Sequence, residues 1–333
     1  MRFLIVGGAG FMGCNYVRFL LDSYSDAEVI VFDKFVYSGR MENLHDVMDN
    51  PRLTVIRGDV CDEVHLEEVV RKYEPDVIVN FSAETHVDRS ISEPAPFLRT
   101  NIFGVFSLLE VCRRTDVPKI IHISTDEVYG DLEEGLCADE DYPFRPGNPY
   151  SASKASGDLL VQSYRRTYGI PSIIVRPSNN YGPYQYPEKF IPKTIIRALN
   201  DMHIPIYGSG NQIRDWLYVG DFVRALDIII RKGLVGHAYN VPGFNPKRNV
   251  EVVECILRFL GKPLNLIKFV DDRPGHDARY CMRGERIMEL GWKPLVSWDE
   301  GIKNTIEWYV KNKWWWEPVL SDKFFKSDTP WRS

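Results

Sequence analysis

The chain has 333 residues, enough to bury a large core as one big domain or as a large domain with a smaller one. A net charge of -5 argues against a nucleic-acid partner, yet leaves room for a small anion gathered by a local basic cluster. The apolar run "FLIV" is too short for a signal peptide, no stretch approaches a membrane span, and the six cysteines form no CxxC pair, so a soluble, cytoplasmic protein with reduced thiols and no membrane partner is expected.

In chain order, "RFLIV", "EVIVF", "LTVIR", "DVIVN", "KIIHI" and "PSIIV" are short β-rich runs, separated by helical patterns such as "DEVHLEEVVRKY". That alternation predicts an α/β fold: a Rossmann-type, doubly wound parallel sheet covered on both faces. After about residue 180 the rhythm breaks into Pro- and Gly-rich stretches ("YGPYQYPEKFIP", "VPGFNP", "DRPGHD"). We therefore expect a dinucleotide-binding domain over 1–180 and a smaller mixed α/β substrate domain over 181–333, with the chain crossing back between the lobes.

Directly after the first run comes "GGAGFMG", which places Gly7, Gly10 and Gly13 at the entry to a helix. This spacing serves a tight turn, close approach of a pyrophosphate and close packing of helix on strand. The helix N-terminus would then offer its free N–H groups to the phosphate. The second run ends in Asp33, twenty residues after Gly13, where a carboxylate accepts from a ribose diol and repels a 2′-phosphate. NAD is therefore favoured over NADP, a preference softened by the neighbouring Lys34. Asp59, with Val60 after it, closes the third run where an adenine edge would lie, and it equally fits a helix N-cap.

The fifth run is followed by "STDEVYG", a hydroxyl and two carboxylates in a row at a strand's carboxyl end. Alone, Asp126 and Glu127 would also fit a polar loop start. Further on, "NPYSASKASGDLLVQSYRRTYG" reads as a helix that carries Tyr150 and Lys154 four apart and on one face. A phenol near pKa ~10 is a poor base at neutral pH. An ammonium close by, with a positive nicotinamide ring, should lower it enough to take a proton from a substrate hydroxyl. Tyr-x-x-x-Lys alone is often surface decoration; the glycine loop and Thr125 at a strand end make it a catalytic pair.

Together these motifs resemble the extended short-chain dehydrogenase/reductase family, many of whose members act on nucleotide sugars. "FSAETHVDRSI", "STDEVYGD", "PYSASKASGD", "SNNYGPYQYPEKFIP", "YGSGNQIRDWLYV" and "DRPGHDARY" are similar, in order, to its 4,6-dehydratase branch acting on dTDP-glucose. What the resemblance implies is a homodimeric, NAD-dependent hydro-lyase that forms a 4-keto-6-deoxy sugar. Oxidation at C4 acidifies the C5 proton; Glu127 removes it, Asp126 held protonated gives its proton to the departing C6 hydroxyl, and the hydride returns from the cofactor to C6. Tyr150 and Thr125 act at the C4 oxygen. Pairing of subunits is expected through the Tyr150 helix and the preceding one, "LRTNIFGVFSLLEVCRR".

The same resemblance implies further contacts. Phe11, Met12, Ala83 and Thr100 join the glycines around the cofactor. Thr85 and His86, with Asp88 and Arg89 in the same block, lie near the nicotinamide and sugar. Asn180, Glu188 and Lys189 meet the sugar and nucleotide. Arg214 and Arg273 neutralise the diphosphate, since a guanidinium fork suits it better than an ammonium. Asn240 and His276 are candidate diphosphate or ribose contacts, and no metal is expected. The nearest rival is a 4-epimerase or decarboxylase on a UDP-sugar, which Arg176-Pro177 resembles but which has no use for both Asp126 and Glu127. A non-catalytic NAD-binding regulator would usually have lost Tyr150 or Lys154.

Overall fold

The computed structural model describes residues 1–332. The runs rich in Val, Ile, Leu and Phe become strands β1 (Arg2–Val6), β2 (Glu28–Asp33), β3 (Leu53–Arg57), β4 (Val77–Asn80), β5 (Ile120–Ile123) and β6 (Ser172–Pro177). Alternate side chains serve opposite faces. Phe3 and Ile5 of β1 join one hydrophobic cluster, Leu4 and Val6 the other. Each such side chain withdrawn from water contributes about 2 kcal/mol, so both faces of the sheet are committed to the core.

The remaining strands are β7 (Asn179–Tyr181), β8 (Ile204–Tyr207), β9 (Ile213–Tyr218), β10 (Ala238–Val241), β11 (Pro246–Arg248) and β12 (Ile267–Val270). Seven strands make one sheet in the order β10-β6-β5-β4-β1-β2-β3, and each neighbouring pair is parallel. This is the doubly wound arrangement, with strand order reversing beside β1. After β6 the chain builds a three-stranded sheet, β11-β9-β7, and a parallel pair, β12-β8, and returns once to the large sheet through β10. Ligands of such folds bind outside the carboxyl ends of the strands. Here Gly7, Asp33, Phe81, Ser124 and Ser178 stand at or just past those ends.

Two expectations require correction. The segment Ala95–Thr115 is a helix of 21 residues with an 18-residue window of mean hydropathy 1.2, which by length and composition alone would suffice to cross a membrane. Half of it is buried against helices Glu63–Tyr73 and Pro149–Tyr168, and that packing accounts for its apolar face. The thiols are not all reduced either: Cys137 and Cys281 are joined in a disulfide, with Cα atoms 4.7 Å apart. No CxxC motif announces it because the partners are 144 residues apart and meet only where Ala138 bridges Met282.

Candidate active site

The glycine loop is built by steric exclusion. Gly7 has φ +76°, and a Cβ there would lie 2.5 Å from the Ser82 backbone nitrogen. A Cβ on Gly13 would lie 2.6 Å from the Gly7 carbonyl, so only glycine lets helix Phe11–Ser23 sit this close to β1. Gly10 is the N-cap of that helix and offers no side-chain cap, which leaves the first N–H groups to a ligand. Asp33 accepts from the Ala9 backbone N–H at 2.9 Å and from that of Phe35 at 2.9 Å, which ties the end of β2 to the loop. Lys34 pairs with Asp59 at 2.8 Å, joining the ends of β2 and β3. A cradle without side chains, a free helix N-terminus and a carboxylate twenty residues on fit a dinucleotide.

Beside the loop lies a cavity of about 320 Å³. Gly7, Gly10, Phe11, Met12, Gly13 and Ala83 line it on the loop side, and Thr85, His86, Thr125, Asp126, Glu127, Tyr150 and Lys154 on its floor. Asn180, Glu188, Lys189, Arg214, Arg273 and His276 line it from the smaller lobe. Asp33, Lys34, Asp59, Val60 and Thr100 lie outside its lining. The Val60 side chain is buried where a Cβ on Gly104 would meet it. Asn240 is corrected outright: it is fully buried, accepts from the Tyr129 hydroxyl at 2.7 Å and donates to the Ala138 carbonyl at 3.2 Å, so nothing remains for a diphosphate or ribose.

The "TDEVYG" stretch folds as a 3-10 turn, Asp126–Tyr129, capped by Thr125, whose hydroxyl accepts from the Glu127 N–H at 3.3 Å and lies 3.2 Å from Asp126 Oδ1. Gly130, at φ +74°, ends it, because any Cβ there would overlap the Arg145 carbonyl. The turn delivers both carboxyls into the cavity with 2% of Asp126 and 8% of Glu127 exposed. Their surroundings differ. Burial raises Asp126 well above the usual carboxylate range, Glu127 and Asp215 raise it further, and Asp126 Oδ2 has no partner. Burial also raises Glu127, but Arg273 and Arg214 pull it back. Of the two, Asp126 is the more strongly pushed toward its protonated form, and Glu127 the better placed to ionise.

Helix Pro149–Tyr168 starts with Asn148 accepting from the Ser151 N–H at 3.0 Å and with Pro149 at its first position. It holds Tyr150 and Lys154 against the ends of β5 and the catalytic turn. Lys154 donates to the Ile123 carbonyl at 2.7 Å; burial lowers it to about 8 while Asp158 pulls the other way. Tyr150 departs from expectation. Burial and the Glu127 charge push its phenol up, and only the Thr125 hydroxyl draws it down. The ammonium spends its hydrogen bond on the backbone.

Sequence reading passed over several residues that complete the site. Tyr280 places its hydroxyl 2.6 Å from Asp277 and 3.3 Å from Glu127 Oε2, and its ring lies under Arg214. Tyr207 donates to Asp88 at 2.9 Å, and Asp88 takes Arg273 at 2.9 Å. Burial would raise Asp88, but Arg273 overrides it and holds the carboxyl at about 2. These residues sit in the motif blocks, yet their partners come from 119 and 185 positions away, and no spacing rule reports such pairs.

A Tyr and a Lys one helical turn apart, a glycine cradle and a buried acid pair, gathered in one cavity on a doubly wound sheet, are the equipment of a nucleotide-sugar dehydratase. The chain belongs to the GDP-mannose 4,6 dehydratase family, whose sequence pattern it matches over residues 4–305. It is 45% identical to the dTDP-glucose 4,6-dehydratase of Neisseria meningitidis serogroup B, over 97% of each chain, and 42% identical to that of Escherichia coli over 97% and 98%. The crystal structure of dTDP-glucose 4,6-dehydratase from Streptomyces venezuelae, with NAD and dTDP bound, superposes with a TM-score of 0.93 at 41% identity, covering 96% of this chain and 99% of that one. A UDP-glucose 4-epimerase from Thermus thermophilus, in complex with NAD, is more distant at 30% identity, with a TM-score of 0.87 over 94% and 100%.

Proposed function

We propose that this chain is a hydro-lyase that converts dTDP-glucose to dTDP-4-keto-6-deoxyglucose and water. The observation that carries the reading is the Asp126–Glu127 pair, buried in one cavity with Tyr150, Lys154 and Thr125, with both carboxyls raised by burial and Asp126 the more strongly. NAD suits the glycine cradle and Asp33, and when bound it supplies a two-electron store that takes electrons from C4 and returns them to C6. Tyr150, which the Thr125 hydroxyl draws down, takes the C4 hydroxyl proton as a phenolate, with Lys154 lining the same cavity. Glu127 removes the C5 proton made acidic by the C4 ketone. Asp126 gives its proton to the C6 hydroxyl, which leaves as water. A proton then returns to C5 from Glu127, and the proton that Tyr150 took from the C4 hydroxyl passes to Asp126, directly or through solvent, which restores the starting states. Arg214 and Arg273 face the cavity as partners for the diphosphate, and His276 beside them is kept neutral, at about 4, by burial and by both guanidinium charges.

The enzyme works as a cytoplasmic homodimer in this reading. Leu98, Phe103, Phe106 and Leu159 are exposed apolar side chains on helices Ala95–Thr115 and Pro149–Tyr168, and a second copy would cover them. The test of function is incubation with dTDP-, UDP-, GDP- and CDP-glucose, followed by the alkali-induced absorbance of a 4-keto sugar. Product from dTDP-glucose ahead of the others is the expected result. A C4 epimer in place of the keto sugar would overturn the reading.

A further inference from the structure

Helix Phe190–Leu199 carries Lys193 and Arg197, four apart and both buried on one face. Both point at the segment 322–332. Lys193 donates to the carbonyls of Phe324 and Ser327 at 2.8 Å each. Arg197 donates to the carbonyls of Phe325 at 2.9 Å and Lys326 at 2.7 Å, and to Asp328 at 2.8 Å. A buried lysine and a buried guanidinium that also pairs with Asp328 thus satisfy four carbonyls of this segment and fix it on helix Phe190–Leu199.

Beneath it lie two chains of contact that end in the cavity, although no residue of 322–332 lines the cavity itself. In the first, Asp322 takes Arg89 Nη2 at 2.7 Å, and the same guanidinium meets only one oxygen of Glu188, Oε2, with Nε at 2.8 Å and Nη2 at 2.7 Å. Phe324 supports it, lying 3.9 Å from Arg89 and edge-on to His86. The other Glu188 oxygen, Oε1, is buried without a partner on a residue that lines the cavity. A fork facing a single carboxylate would normally take both oxygens. Arg89 Nη2 is shared between Asp322 and Oε2, and Oε1, 3.9 Å from His86 Nε2, keeps no hydrogen-bond partner and is left for a ligand donor. In the second chain, Trp331 packs 4.6 Å from the Tyr207 ring, and Tyr207 holds Asp88, which holds Arg273.

We propose that residues 322–331 are a positioning strap: Asp322 and Trp331, without touching substrate, present Glu188 and Arg273 to the nucleotide sugar and so set its affinity. This rests on the reading of the cavity as a nucleotide-sugar site. The test compares the full chain with Asp322→Ala, Asp322→Glu and Trp331→Ala, measuring dTDP affinity by calorimetry, KM and kcat on dTDP-glucose, bound NAD and Tm.

Asp322→Ala is expected to raise the dTDP Kd and the KM by about tenfold, as for loss of one charge-assisted hydrogen bond, with kcat and NAD content held. Trp331→Ala should raise both severalfold, and Asp322→Glu should recover most of the loss. Lower Tm and lower kcat at unchanged KM and Kd would mean a merely structural segment and overturn the proposal. Weakened dTDP binding in a chain whose native form makes no keto sugar would sustain the strap and sink the dehydratase reading. Native turnover with unaltered variants would do the reverse.

Discussion

Glu127→Gln isolates the elimination step. The amide keeps the shape of the side chain and can still accept from the Tyr280 hydroxyl, which lies 3.3 Å from Oε2 in the native protein. Arg273 retains Asp88 and Arg214 retains the Asp277 carbonyl, so no cation is stranded and the fold should hold. What is lost is the base at C5, and a positioned base accelerates proton removal by roughly 10²–10⁴-fold. That is about 3–5 kcal/mol of barrier. Oxidation at C4 should persist, because the Glu127 charge is one of the causes that raise Tyr150, and neutralising it eases loss of the phenol proton. The assay follows reduced-nicotinamide absorbance and the 4-keto product in the same single-turnover experiment. The reduced cofactor should appear at near-native rate while product falls by at least ~10²-fold. Product formation within a few-fold of native would refute the assignment of Glu127.

Further outcomes follow from the same geometry. Tyr150→Phe should stop the reaction earlier, giving neither reduced cofactor nor product, which separates it from Glu127→Gln in the same assay. Turnover needs Glu127 ionised and Asp126 protonated, and both are raised. The acid limb of the pH–rate profile should therefore lie above the range of an ordinary glutamate, and the alkaline limb should report Asp126. Asp126→Asn should abolish elimination yet stabilise the fold. Its folded pKa exceeds its unfolded one, so its contribution is fully present below the unfolded value and is lost as pH rises through the folded value. An Asn has nothing to ionise, so Tm at neutral pH should rise and depend less on pH; an unchanged Tm–pH curve would count against the burial of that carboxyl. Reducing the Cys137–Cys281 bond, which closes a separation of 144 residues, should lower stability by up to about 4 kcal/mol. Calorimetry with and without reductant reads this as a lower Tm, and an identical Tm would mean the bond does not form.

Much of this protein was legible along the chain. Short unbroken runs of Val and Ile bury well as strands covered on both faces, so the parallel sheet followed from local pattern. Gly7, Gly10 and Gly13 were legible because glycine alone tolerates that backbone and that closeness, and Tyr150 with Lys154 because one helical turn fixes their relation. The chemistry of Asp126 and Glu127 was legible only as a pair of acids at a strand end. What sets their surroundings apart comes from folding, which brings Asp215 toward Asp126, Arg273 toward Glu127 and Arg214 toward both from the far lobe. The same long reach joined Cys137 to Cys281, turned Asn240 inward to Tyr129, and gave the Lys154 ammonium to the Ile123 carbonyl. Sequence records what each side chain is able to do. Its charge state and partners depend on neighbours far along the chain, and only the packed molecule brings those into range.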